Sequence, residues 1–176
     1  VQSFTHFVSV FGSLQISAGL GRLFFDYDDH QKRTYFSSIL VAVTGTALLI
    51  LLPIHLFGES ITGLMFPSAG IPYAPYFFLG ISTVFFNQIV IATNRLQKSR
   101  EKGLTIGLIA VATVLVGVGM RLWLVVGLRM GAHGALLATL ANAGVHAFLL
   151  IISASSFLTF KVDVAMMVAS LRYGFP

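Results

Sequence analysis

Long apolar stretches separated by short polar ones dominate the chain. Five of these stretches match the roughly 20 residues that a helix needs to cross about 30 Å of hydrocarbon. Their apolar positions do not alternate with polar ones, as they would in a membrane β-strand. The pattern predicts an all-α integral membrane protein with five transmembrane helices, which we label spans A to E. They cover, in order, residues 2–24, 35–56, 72–94, 103–125 and 131–153.

The composition supports this interpretation. The chain of 176 residues is 56% hydrophobic and only 10% charged, whereas soluble domains carry about 25% charged residues. A soluble fold would need more charge to cover its surface. The chain contains no cysteine, which excludes disulfides and thiolate metal sites.

Positive charge in the connections predicts the orientation. If the spans alternate in direction, connections 26–34 and 95–102 and the tail lie on one side, and connections 57–71 and 126–130 lie on the other. The first side carries nine of the 11 Lys and Arg residues, and the second carries two. Cytoplasmic loops are enriched in Lys and Arg. We therefore expect a multi-pass protein of the plasma (cell inner) membrane, with the first side cytoplasmic and the second extracytoplasmic.

Residues 157–176 differ from the transmembrane part, which we place at 1–156. They are mostly apolar but are interrupted by Lys161, Asp163 and Arg172. This mixture is typical of a helix in the membrane interface, so we expect a cytoplasmic interfacial helix and then the start of a further span. Because the chain begins at Val1 rather than Met, we also expect it to be a fragment of a longer protein.

Two charged stretches have plain structural explanations. Asp26, Asp28 and Asp29 could form a metal cluster, but with Lys32 adjacent they are more typical of a helix start, where acidic residues interact favourably with the helix dipole. The basic run 95–102 lies between two spans and has no interleaved aromatic residues. It therefore indicates topology rather than nucleic-acid binding, and we expect no metal and no nucleic-acid partner.

Polar side chains recur at helical spacing within spans A, C, D and E, and two interpretations stay open. Small and polar residues allow helices to pack closely and to hydrogen-bond across the contact. Alternatively, such stripes line a water-filled cavity for a polar substrate. Span B shows no such stripe and is expected to face lipid over most of its surface. The candidates for the substrate cavity are Arg22, Asn87, Arg121, Asn142 and His146.

The ionisable candidates each have a structural alternative. Arg121 lies near the outer end of span D, where it either snorkels to the interface beside Trp123 or faces the cavity and attracts an anion. Arg22 either anchors span A or lies at the cavity mouth. His146 either packs through a hydrogen bond or relays protons. No nucleophile, phosphate loop or pair of mid-membrane carboxylates indicates an enzyme, and no cofactor is expected.

The order of these features resembles that of the polysaccharide biosynthesis transporters. These are lipid-linked oligosaccharide flippases of the multidrug/oligosaccharidyl-lipid/polysaccharide exporter superfamily. The resemblance lies in GLGRLFFDYDDHQKRTYFSS at 19–38, in the glycine-rich start of span E at 131–139, and in LRYGFP at 171–176. By this resemblance the five spans correspond to helices two to six of an N-terminal six-helix lobe, and the last motif opens the seventh.

The resemblance implies a function. Members of this family carry a lipid-linked oligosaccharide, of the lipopolysaccharide O-antigen, capsule or exopolysaccharide type, from the cytoplasmic to the outer leaflet by alternating access. Its partners would be the lipid-linked substrate, the bilayer and H⁺ or Na⁺ as coupling ion. Arg22 matches the family's Arg after the second span. Two alternatives remain: a multidrug cation antiporter of the same superfamily, which would need a carboxylate in a span, and a membrane-embedded glycan ligase or polymerase.

Overall fold

A computed structural model describes residues 19–65 and 73–174 of the chain. Within these ranges the backbone forms seven α-helices and no β-strand. They are α1 (Leu20–Leu23), α2 (Asp29–Leu56), α3 (Gly58–Met65), α4 (Phe78–Ser99), α5 (Gly103–Arg121), α6 (Gly131–Ala154) and α7 (Val164–Gly174). Tighter 3₁₀ turns follow α1 and α6, and wider π turns precede α4 and follow α5.

Four helices of the described residues are long and apolar enough to cross a membrane. With their flanking turns they run over Asp29–Leu56, Tyr73–Ser99, Gly103–Gly127 and Gly131–Phe157. They coincide with spans B to E. Most of span A, and the His and Ser positions on its polar face, lie outside the described residues. The protein is therefore a helical membrane protein with at least four candidate spans.

The connection expected at 26–34 is much shorter than the sequence pattern suggested. Helix α2 begins at Asp29, because Asp28 and Gln31 form a capping box in which the Gln31 side chain accepts the Asp28 N–H at 3.2 Å. Lys32 then pairs with Asp29 at 3.0 Å. Asp28 and Asp29 thus mark a helix start, which is the second of the two interpretations above, whereas Asp26 ends the preceding 3₁₀ turn.

The other connections also contain more helix than expected. Helix α3 occupies most of the first half of 57–71, and residues 66–72 lie outside the described part. Helix α4 continues to Ser99, so 95–102 shrinks to a tight turn around Glu101, whose φ is 56°. The connection at 126–130 shortens because the π turn after α5 continues to Gly127. Hydrophobicity shows which residues can lie in the hydrocarbon layer. The ends of a helix are set instead by its capping residues and turns.

Helix α4 is the centre of the arrangement. It packs against α2 on one side and α6 on the other, with α1 against its C-terminal half, and α5 packs mainly against α6. Within α5, only Thr113 and Gly117 are buried. The buried face of α6 consists mainly of small residues, which allow close approach of neighbouring helices: Gly134, Ala138, Ala143, Ala147 and Ala154, with Leu150.

The start of span B is buried, although this helix was expected to face lipid over most of its surface; farther along, one face of α2 is exposed. Residues from Tyr35 to Ile39 of α2 are all buried. The Thr159 N–H donates to Ser37 Oγ at 2.9 Å, and the Asp163 N–H donates to Ser38 Oγ at 2.8 Å. These two serines hold the segment 158–163, and α7 begins after it at Val164, so that Lys161 and Asp163 precede the helix and Arg172 lies within it.

Candidate functional site

Arg22 is fully exposed on α1 and contacts the last helix. Its Nη1 donates to the Tyr173 hydroxyl at 3.5 Å, and its guanidinium lies 5.7 Å from the centroid of the Tyr173 ring. Close beside this contact, the buried Tyr35 hydroxyl lies 3.1 Å from Ser170 Oγ. Arg22 therefore connects α1 to α7 through one side chain and leaves the rest of its charge accessible.

Asn87 lies on the open face of α4. It is exposed, although most of the helix around it is buried. Ile91, Asn94 and Lys98 follow at spacings that place them on the same helical face. The Asn94 Oδ1 atom is buried and has no hydrogen-bond partner among the described residues. This face thus combines amide groups within the span with a cation at its end.

Arg121 and Asn142 lie along one contact between α5 and α6. Arg121 is exposed, and its Nη2 donates to Thr139 Oγ1 at 3.5 Å. Asn142, less than one turn beyond Thr139, packs on Gly117, where an added Cβ would lie 3.0 Å from the amide. Close packing therefore accounts for the position of Asn142, while its buried Oδ1 has no hydrogen-bond partner in the part of the chain that the structure describes. Arg121 has a protein partner and also an accessible surface.

His146 follows Asn142 by one turn on α6 and is half-buried. It makes no hydrogen bond with any described residue, so the packing role through a hydrogen bond is not seen in this part of the chain. Of the five candidates, Arg121 and Asn142 both lie at the contact between α5 and α6, where they meet different partners, Thr139 and Gly117. Arg22 and Asn87 lie on other elements.

A groove between α1 and α4 contains cations that the sequence pattern assigned only to topology. Its volume is about 460 Å³. We call it the basic groove, and it is lined by Gly21, Phe25, Arg95, Lys98 and Ser99. The signal that could have indicated it is the helical spacing of Asn87, Asn94 and Lys98, which extends a polar face into the basic run.

Three other cations near this end lie over aromatic rings. Lys32 lies 5.6 Å from the Phe24 centroid, and Arg33 and Arg100 lie 5.7 and 3.9 Å from the Phe157 centroid. Burial, and then the like charge of Arg33, lower the pKa of Arg100. These contacts fix the basic side chains against the end of the bundle.

A second cavity, of about 310 Å³, lies between α2 and α4 near the other end of the bundle. Its polar members are His55 and Ser82. The His55 Nδ1 is hydrogen-bonded to the Tyr73 hydroxyl, and its Nε2 lies 3.4 Å from Ser82 Oγ. The rest of the lining is apolar and consists of Leu48, Leu51, Leu52, Phe78, Phe85 and Phe86. The sequence pattern did not single out His55, because its partners come from a different helix.

The fold and these sites define a helical membrane protein with polar and basic surfaces on the faces of its spans. Comparison of the chain with protein-family models, with curated proteins and with solved structures finds no match.

Proposed function

We propose that the chain forms part of the N-terminal lobe of a lipid-linked oligosaccharide flippase. The flippase would move its substrate from the cytoplasmic to the outer leaflet by alternating access, with H⁺ or Na⁺ as coupling ion. The resemblance at 19–38 and 131–139 suggests the family. The observation that carries the proposal is the polar face of α4, with Asn87 exposed and the Asn94 oxygen unpartnered.

The energetic argument concerns hydration. An amide without a hydrogen-bond partner costs about 4–8 kcal/mol on transfer from water to hydrocarbon. A helix face that repeats such amides, as the polar face of α4 does, is therefore more stable in contact with water or another polar surface than in contact with lipid. In a transporter of two lobes this face would line the path, and sugar hydroxyls would replace water as hydrogen-bond partners.

The charge distribution favours this transporter over its relative within the superfamily. A cation antiporter needs a carboxylate within a span, and the only one in the four described spans is Asp29, in the first turn of α2. Arg22 and Arg121 both have exposed guanidinium groups that suit an anionic pyrophosphate–sugar head group. No specific observation favours a ligase or polymerase.

The proposal predicts the effect of removing these cations on export of an anionic glycan. Arg22→Asn and Arg121→Asn in the complete transporter should each lower export by at least about tenfold, because loss of a charge-assisted hydrogen bond costs about 1.5–3 kcal/mol. The measurement is the amount of surface glycan per cell at equal protein abundance.

Two controls separate substrate binding from structure. Arg129→Asn removes a cation from the turn between α5 and α6, where φ is 51° and Asn is tolerated; export should be unchanged. Tyr173→Phe removes the hydroxyl that Arg22 contacts but keeps the charge, so export should again stay near normal. Normal export in both Arg22→Asn and Arg121→Asn would refute the role of these cations.

The expected orientation is tested by single cysteines, since the natural chain has none. A cysteine in place of the exposed residue Gln31 should react with a membrane-impermeant maleimide only after the membrane has been permeabilised. A cysteine in place of the exposed residue Ser60 on α3 should react in intact cells. The reverse pattern would invert the topology.

A further inference from the structure

The basic groove contains two cations that the fold does not neutralise. Among the described residues the single ion pair joins Lys32 to Asp29. Neither the Arg95 nor the Lys98 side chain makes an ion pair or hydrogen bond there, and no carboxylate lines the groove. The Ser99 hydroxyl is directed back to the Arg95 carbonyl at 3.1 Å. Arg95 and Lys98 thus present two uncompensated positive charges to any molecule that enters the groove.

Partial burial of Arg95 distinguishes these two cations from ordinary surface charges. Arg95 is half-buried, whereas Lys98 is exposed at the rim. A guanidinium with part of its surface removed from water, and with no partner, gains from an anion that supplies several acceptor oxygens. A phosphate group fits this requirement, because an Arg can bind it through two parallel hydrogen bonds.

The position of the groove distinguishes a lipid from a soluble anion. Arg95 and Lys98 occupy the last turns of a candidate span, where phospholipid head groups lie. Phe25, with 66% of its surface exposed, forms an apolar rim beside the two cations. A bound molecule with a phosphate head and an acyl chain would satisfy both surfaces, whereas inorganic phosphate would satisfy only one.

We propose that the basic groove between α1 and α4 binds the phosphate head group of an anionic phospholipid, held by Arg95 and Lys98 with its acyl region against Phe25. This inference does not depend on the proposed flippase activity, because it concerns a lipid of the surrounding leaflet. The two proposals can therefore fail separately. Arg22→Asn or Arg121→Asn can lower export while lipid binding is retained, and lipid binding can be lost while export is retained.

The first test removes the two charges. Native mass spectrometry of the full chain, in micelles with equal mole fractions of phosphatidylglycerol and phosphatidylcholine, should show preferential retention of phosphatidylglycerol. Each cation in direct contact with the phosphate contributes about a factor of five to the affinity for the lipid, whereas a cation outside the groove acts only through a field that salt screens. Arg95→Gln with Lys98→Gln should therefore weaken retention about thirtyfold.

A matched control removes the same charge elsewhere on the same expected side. Lys102 and Lys161 are both exposed and lie outside the groove. Lys102→Gln with Lys161→Gln should change retention less than threefold. Equal losses in the two double variants would mean that net charge alone attracts the lipid, which would overturn the proposal.

The second test fills the groove without changing its charge. A Cβ added at Gly21 would meet no atom of the described residues within 4 Å, so Gly21→Leu should fold normally and occupy the space beside Phe25. Phosphatidylglycerol retention should fall at least fivefold. Gly45 of α2 is equally open, and Gly45→Leu should leave retention unchanged. Undiminished retention in Gly21→Leu would show that the groove is not the site.

A third arm decides between lipid and free anion. Inorganic phosphate at up to a hundredfold excess over the lipid should not displace phosphatidylglycerol, because it lacks the acyl contact. Displacement at concentrations comparable to that of the lipid would assign the site to soluble phosphate and overturn the lipid proposal.

Discussion

Gly134→Ala should lower the apparent melting temperature of the protein in detergent by about 5 °C. An added Cβ at Gly134 would lie 2.8 Å from Met130 Cβ and 3.0 Å from the Leu124 carbonyl oxygen. Neither atom can rotate away, because one is a backbone oxygen and the other is fixed by its backbone. Over-packing of this kind costs about 1–3 kcal/mol, and each kcal/mol corresponds to about 2–4 °C for a chain of this size.

The structural consequence would be specific to one turn. The Leu124 carbonyl accepts the Met130 N–H at 3.1 Å and thereby closes the connection between α5 and α6. To accommodate the methyl group, either this hydrogen bond must lengthen or the first turn of α6 must move away from the π turn. The loss of stability should therefore be accompanied by faster hydrogen exchange at Met130.

Gly144→Ala is the matched control on the same helix. The nearest atom to its added Cβ would be a ring carbon of Phe86 at 3.9 Å, an ordinary contact. In a helix interior, Ala is more stable than Gly by about 0.5–1 kcal/mol. This substitution should leave the melting temperature unchanged or raise it slightly. A similar fall in both variants would contradict the contact geometry at Gly134.

Gly117→Leu should separate α5 from α6. An added Cβ would lie 3.0 Å from the Asn142 amide, and the rest of the Leu side chain has no room while that amide stays in place. We expect a loss of about 2 kcal/mol, within the range for over-packed sites. Because Thr113 and Gly117 are the only buried residues of α5, the loss would act on the principal contact of that helix. Thermal unfolding in detergent measures it.

Two further variants make this prediction specific. Gly119→Leu places the same side chain two residues away, where nothing lies within 4 Å, and should not destabilise the protein. Asn142→Ala removes the group that Gly117→Leu meets, so the double variant should recover much of the lost stability. A coupling energy of about 1 kcal/mol or more is expected for residues in contact. Strict additivity would exclude the proposed contact.

The sequence and the structure agree best at the centres of the spans. Spans B to E were predicted at 35–56, 72–94, 103–125 and 131–153, and each coincides with a candidate membrane helix. The ends agree less well, because α2 begins six residues before Tyr35, at the capping box of Asp28 and Gln31. The hydrophobic pattern does not predict such polar turns, which continue a helix beyond the hydrocarbon layer.

The site was harder to predict than the spans. Arg121 and Asn142 were both chosen from helical spacing, but only the packing of α5 on α6 shows that Asn142 lies on Gly117. Arg95 and Lys98 were assigned to topology, since a linear pattern cannot show that α1 and α4 enclose them in a groove. Likewise, the serines of span B acquired a role only when the segment 158–163 was found against them.

What the sequence by itself determined is the class of the protein and the helices that can cross the membrane. The reason is local: about 20 consecutive apolar residues must satisfy their own backbone hydrogen bonds in lipid, and a helix does so within one segment. The tertiary structure alone decided which polar side chains meet, because helix pairing joins residues far apart in the chain. Three juxtapositions depend on such pairing of distant parts of the chain. Arg121 contacts Thr139, Ser38 contacts Asp163, and Gly21 lines the same groove as Arg95.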